Sequence, residues 1–132
     1  MRVAFASLKG KYLDCAFEEC VSFSLFDFTA EGYRYLETLT LPETALRERE
    51  EAGAVAARLR LLKGCRILMV SGIGSEAARR VSKAGIMLLE TEPGAEVIGQ
   101  LDKMRTMLKE RPPLWLAKAL VRSALEEGGE GT

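Results

Sequence analysis

A chain of 132 residues, 48% hydrophobic and 29% charged, has the composition of a single soluble globular domain and not that of a disordered tail protein. At this size folding hides roughly two-thirds of the unfolded surface, enough for a core without a disulfide or metal staple, so a metal here would be cargo or chemistry. Lys plus Arg and Asp plus Glu each number 19, which leaves no net positive field to hold a phosphate backbone and argues against nucleic acid as a partner.

Arg2 to Ser7 reads as a short buried strand, and Leu8-Lys9-Gly10-Lys11 as a polar loop after it. Val21, Phe23 and Leu25 alternate with Ser22 and Ser24, and Phe26 and Phe28 flank Asp27, the pattern of a strand buried mainly on one face. Ala30-Glu31-Gly32 is a turn, and the alternation from Tyr33 to Leu39 completes an antiparallel hairpin. Pro42 to Glu51, dominated by Glu and Arg, suits a solvated connector. From Ala52 to Leu62, Val55, Leu59 and Leu62 recur at helical spacing, with Gly64 placed to end the helix in a left-handed conformation.

Arg66 to Val70 is a compact apolar strand, and Ser71-Gly72-Ile73-Gly74-Ser75 turns the chain into a second helix. Ser75 is its expected N-cap, Val81 and Ala84 line its inner face, and Gly85 closes it. Ile86 to Leu89 is the next strand. A third helix follows Pro93-Gly94 on the stripe Val97, Leu101, Met104 and Leu108. Pro112-Pro113 separates it from a last amphipathic segment, Leu114 to Leu125, in which Trp115, Leu116 and Leu120 are packing residues. One domain over residues 1–125 and a frayed, flexible tail over 126–132 are expected.

A hairpin-rich first half followed by strand-helix alternation is an α/β pattern: a five-stranded mixed sheet flanked by helices. Right-handed crossovers set the strand at Arg66 to Val70 parallel to its neighbours, with the first strand beside it. This is the strand pattern of ribonuclease H-like folds.

In that arrangement the Ser7 to Cys20 loop and the Ser71 to Ser75 loop face each other across the carboxyl edge of the sheet, where open α/β sheets bind ligands. Candidate binding residues are Ser7, Lys9, Cys15 and Cys20 from the first loop and Gly72, Gly74, Ser75 and Arg79 from the second. Thiols would meet the unpaired N–H groups and positive dipole of a helix N-terminus, with Lys9, Lys11 and Arg79 adding charge. The chain has no histidine, which excludes imidazole triads, histidine zinc sites and histidine general bases. Three cysteines without an export-signal pattern suit reduced thiols in the cytosol more than a disulfide framework, and no apolar run approaches membrane-spanning length. A cytoplasmic protein with no membrane partner is expected.

Cys15 and Cys20 are spaced C-x4-C, too few ligands for a self-contained ferredoxin-type cluster. A preassembled cluster that carries its own sulfides can accept one or two protein thiolates, because soft thiolate suits iron. Cys15 lies in the loop and is the better placed ligand; Cys20 opens a strand, where ligation and burial as a structural thiol both remain open. Cys65 falls on the opposite edge, about 16 Å away, and reads as a small buried hydrophobe.

Two other chemistries are weaker. Gly72-x-Gly74-x-x-Ala77 with Glu90 mimics half of a dinucleotide fingerprint, but a hairpin-led chain lacks the second parallel half, and the glycines also permit a tight strand-to-helix turn. Two-metal phosphodiester cleavage needs acids clustered on adjacent strands, and neither the first strand nor Ile67 to Val70 carries any.

Val3-Ala4-Phe5-Ala6-Ser7, Ala56-Ala57-Arg58-Leu59-Arg60-Leu61-Leu62-Lys63-Gly64-Cys65 and Pro112-Pro113-Leu114-Trp115-Leu116-Ala117-Lys118-Ala119-Leu120 carry a family likeness. From Val3 to about Leu120 the chain resembles the dinitrogenase iron-molybdenum cofactor biosynthesis family, which includes NifX, the NafY core domain and the C-terminal part of NifB. The last of the three pieces looks most like NifX. The resemblance implies a ribonuclease H-like fold and a non-catalytic role in nitrogen fixation. It implies transient binding of an iron–sulfur precursor of the iron-molybdenum cofactor and its transfer between assembly proteins of the NifB and NifEN kind, or to apo-dinitrogenase.

Related members carry a His-Phe-Gly motif whose histidine is a candidate cluster ligand, where this chain has Ala16-Phe17-Glu18. Two alternatives follow from the resemblance. Either Cys15, one residue earlier, takes over as metal ligand with Cys20 as second ligand or support, or the chain is an adaptor that docks on assembly proteins without holding a cluster.

Overall fold

The computed structural model describes residues 1–110 and 112–130. In chain order it runs β1 (Arg2–Ala6), β2 (Tyr12–Leu13), β3 (Ser22–Thr29), β4 (Gly32–Thr40), α1 (Glu43–Leu46), α2 (Glu51–Leu61), β5 (Ile67–Val70), α3 (Ser75–Lys83), β6 (Met87–Glu90), β7 (Ala95–Glu96), α4 (Val97–Glu110) and α5 (Leu114–Glu130). Five strands form one mixed sheet in the order β4-β3-β1-β5-β6. β1 is antiparallel to β3, with Ala4 opposite Leu25, and parallel to β5, with Ala4 opposite Leu68. The expected α/β fold with a five-stranded mixed sheet is therefore present.

Side-chain alternation makes β1 a two-faced strand. Ala4 and Ala6 pack with Phe23, Leu25, Val55, Leu62, Leu68, Val70, Ala77 and Val81, a core that α2 and α3 cover. Val3 and Phe5 point the other way, to Phe26, Phe28, Ile67, Met69, Val97, Leu101, Met104 and Leu116 under α4 and α5. Each fully buried Leu or Phe contributes about 1.5–3 kcal/mol of transfer free energy, so both faces commit the strand register. This corrects the one-face reading of β3: its Phe23 and Leu25 serve one layer while Phe26 and Phe28 serve the other, because a strand inside a three-layer sandwich is covered on both sides.

Gly64 (φ +93°) and Gly85 (φ +86°) take up the left-handed conformation that ends α2 and α3. Two local expectations, the connector and the α3 N-cap, are revised. The Glu/Arg-rich connector contains the short helix α1, none of whose residues is buried. Helix α5 extends to Glu130, which bears on the path of the expected tail over 126–132 and not on its flexibility, and Gly131 and Thr132 lie outside the described residues. Gly74, with extended backbone, is the N-cap of α3, and Ser75 is its first helical residue. The pair β2–β7 was not expected, since two residues carry no periodic signal; it lashes the first loop to the start of α4, with Lys11 O accepting from Val97 N at 2.9 Å.

Candidate functional site

β1 and β5 run parallel, so their carboxyl ends release the chain on one edge, and the two loops that follow meet there. Phe17 N donates to Gly72 O at 2.8 Å, and Ser71 Oγ donates to Cys15 O at 3.3 Å. A Cβ on Gly72 would lie 3.6 Å from Ala16 Cβ, an ordinary van der Waals contact, which shows how near the two loops run here. Phe17, fully buried, anchors the first loop against Phe23 with ring centroids 6.0 Å apart. The juxtaposition expected of these loops is present.

Their chemistry differs from the expected one in two respects. Cys15 and Cys20 are joined as a disulfide, with Cα atoms 5.5 Å apart, where the sequence suggested reduced thiols. The helical turn at residues 16–20, closed by Cys20 N donating to Ala16 O at 2.9 Å, brings the two side chains together. Cys15 is half-buried and Cys20 fully buried, its Sγ 3.0 Å from the Ser22 carbonyl. Cys65 is free and buried, as expected, and burial pushes its thiol up to about 11 against an opposing pull from Arg2.

The second difference is at the α3 terminus. The Gly74 amide donates to Glu18 Oε2 at 2.8 Å, so a carboxylate of the first loop already sits on the helix N-terminus that was expected to receive a guest anion. The other oxygen, Glu18 Oε1, is a buried atom without a hydrogen-bond partner.

Among the remaining candidates, Ser7 is buried and occupied within its own loop. Its Oγ donates to Tyr12 O at 2.6 Å and accepts from Gly10 N at 2.9 Å. Lys9 is exposed, and so is Arg79, which pairs with Glu76 at 2.7 Å. That bond holds the Glu76 carboxyl below its usual range and raises the Arg79 guanidinium. Ser75 is exposed beside Gly74. Lys11 lies over the Tyr12 ring, 5.5 Å from its centroid.

Two residues that hold this site were missed from sequence. Glu18 carries no local signal, since its partner is 56 positions away. Arg58 does: it falls between Val55 and Leu62 on the buried stripe of α2. Its side chain, 5% exposed, donates from Nε to Cys20 O and from Nη1 to Ala54 O, each at 3.0 Å. Burial lowers the Arg58 pKa, and the nearby charge of Glu18 opposes that shift.

Among the described residues no group of three or more His, Cys, Asp or Glu side chains is arranged to hold a metal ion. None of the described cavities is lined by Cys15, Cys20 or Gly74; one of about 730 Å³ lies between β6 and α5, against Met87, Leu114 and Trp115. Among the described residues no helix is long and apolar enough to cross a membrane. The rim is a meeting of two loops with paired sulfur, backbone amides and an internal carboxylate.

The family model described as dinitrogenase iron-molybdenum cofactor matches residues 1–106. The chain is 32% identical to Protein NifY of Azotobacter vinelandii over 127 residues, 91% of this chain and 48% of that protein. It is 28% identical to Protein NifX of Herbaspirillum seropedicae over 120 residues, 91% of this chain and 82% of that one. The chain therefore spans about half the length of the NifY relative and most of the NifX one. A solved structure described as "Crystal structure of PH0822" superposes with TM-score 0.54 over 68% of this chain and 78% of that one, at 20% identity, a likeness of fold alone.

Proposed function

Because the chain belongs to the dinitrogenase iron-molybdenum cofactor family, we propose that it is a non-catalytic carrier of an iron–sulfur precursor of that cofactor, received at the rim between the two loops. The observation that carries this reading is the apposition of the Cys15 loop to the Ser71 to Gly74 turn at the carboxyl edge. In the reduced state Cys15, the less buried residue of the pair, offers a thiolate to cluster iron, and Cys20 is second ligand or support. Gly72, Gly74 and Ser75 offer backbone amides to cluster sulfides once Glu18 swings aside, and Lys9 and Arg79 add nearby positive charge. Ser7 acts by shaping the loop. No bond is made or broken in the cargo.

The partners on this reading are cofactor-assembly proteins of the NifB and NifEN kind or apo-dinitrogenase, in the cytoplasm. The order β4-β3-β1-β5-β6 with β3 antiparallel supports a ribonuclease H-like assignment of the fold. The second reading, an adaptor that docks on those proteins without a cluster, draws support from the Glu18 carboxylate on the Gly74 amide.

Anaerobic titration of the reduced apo-protein with cluster precursor, wild type against Cys15→Ala, tests the carrier. Brown wild-type protein with weakened binding in the variant is expected; equal binding removes Cys15 from the site, and a colourless wild type that still captures assembly proteins makes it an adaptor.

A further inference from the structure

We propose that Cys15 and Cys20 form a reversible dithiol–disulfide couple, worked by a dithiol reductant, that decides whether the rim can ligate its cargo. The inference rests on the carrier reading and adds its control. Iron takes thiolate as ligand, so a rim whose two sulfurs are bonded to each other has no thiolate to offer. The helical turn at residues 16–20 presets the pair: its Cα separation of 5.5 Å lies within the range of about 4.4–6.8 Å that a disulfide spans without backbone movement. Closure and opening therefore need no refolding of the loop.

The environment of the two sulfurs is asymmetric, and the asymmetry assigns their roles. Cys15 is half-buried and Cys20 sealed, so of the two residues Cys15 is the one that leaves a side open to an incoming thiolate. Attack there forms a mixed disulfide between Cys15 and the reductant, breaks the internal S–S bond, and releases Cys20 as a thiolate that takes up a proton. The Ser22 carbonyl, 3.0 Å from Cys20 Sγ, is positioned to accept a hydrogen bond from the new thiol. The second thiolate of the reductant then attacks its own sulfur in the mixed disulfide, freeing Cys15 as a thiol. The reductant closes to its own disulfide, losing two electrons and two protons, and the protein gains both.

The third cysteine does not interfere. Cys65 precedes β5 at the opposite end of the strand from the rim, is buried, and holds its proton more tightly than an ordinary thiol. The couple is held in place against the facing turn and α2, because Cys15 O and Phe17 N are bonded to Ser71 and Gly72, and Arg58 holds the Cys20 carbonyl.

The test uses the full chain, one portion oxidised with diamide and one reduced with dithiothreitol, both desalted without oxygen. Alkylation under denaturing conditions, read by mass spectrometry, counts thiols, and visible absorption of the protein fraction after addition of a preassembled iron–sulfur cluster, freed of excess thiol and sulfide, reads cluster uptake. The expected result is Cys65 as the sole alkylated cysteine in the oxidised chain and all three in the reduced chain, with cluster absorption in the reduced chain only. The Cys65→Ser variant keeps the same difference between the two portions, and Cys15→Ser abolishes it. Identical thiol counts in both portions overturn the couple. Different counts with equal uptake overturn the gate and leave the carrier standing, whereas different counts with no uptake by either portion overturn carrier and gate together.

Discussion

Replacing Arg58 by Met asks how firmly α2 holds the cysteine loop. Met keeps the apolar stem and removes the donors to Cys20 O and Ala54 O. Ala54 lies inside α2, where the helix ladder supplies its carbonyl with another donor, so little is lost there. Cys20 is fully buried, and baring a buried acceptor costs about 1–3 kcal/mol. Relief of the guanidinium's own burial, which already depresses its pKa, returns part of this. The net destabilisation expected is about 1–2 kcal/mol, and with a urea slope of roughly 2 kcal/mol/M the midpoint falls by about 0.5–1 M. Arg58→Lys keeps the charge without the planar fork and should fall between wild type and Met. Amide exchange gives the local readout: the Phe17 and Cys20 amides, bonded to Gly72 O and Ala16 O, should exchange faster in the Met variant than the global shift explains. An unchanged midpoint, or acceleration spread evenly over β1 and β5, would refute the tether.

Glu18→Gly clears the α3 terminus; on the carrier reading it should tighten cluster uptake by up to about tenfold, one hydrogen bond's worth, and on the adaptor reading leave partner capture unchanged in a pull-down. Gly74→Ala would set a Cβ 2.7 Å from Glu18 Oε2 and push the carboxylate off, so the amide at position 74 should lose exchange protection while stability moves by less than about 1 kcal/mol, since the displaced atom ends a flexible side chain. The Cys65 thiol, raised from 9.0 to about 11, favours the folded state below the unfolded value and loses that contribution as pH climbs through the folded one. The difference in unfolding free energy between wild type and Cys65→Ala should therefore shrink on the order of 2 kcal/mol between about pH 8 and about pH 11 in urea titrations, and a flat difference contradicts the shift. Phe5→Ala removes a fully buried ring set edge-on to Phe26 at 5.6 Å, and calorimetry or urea unfolding should register about 3–5 kcal/mol of lost stability.

The sheet was legible because its signals are local and repeated. Val3 to Ala6 and Ile67 to Val70 are short apolar runs, and the glycines at 64 and 85 stop helices where left-handed backbone is needed. From those pieces the right-handed crossover rule leaves β1 beside β5, and with it the meeting of the two loops. What escaped was non-local or too short to repeat. The β2–β7 pair rests on two residues per strand, and the bulge that leaves Leu36 of β4 without a partner, between Leu25↔Glu37 and Phe26↔Tyr35, shows in sequence only as one break in the alternation.

The site shows the same divide at the level of charge. Sequence placed an unpaired helix terminus opposite the thiols; folding put a carboxylate from the thiol loop onto it, because the free N–H groups and positive dipole end of a helix start attract a nearby carboxylate, whatever its distance along the chain. A terminus satisfied in this way binds a guest more weakly than a bare one, since each new contact replaces an old one. For a protein that stores a ligand this is a defect. For one that receives cargo from one partner and yields it to the next, an internal competitor speeds release. The same side chain that lowers affinity would then be part of the transfer step, and Glu18 would matter more to the rate at which cargo leaves than to whether it arrives.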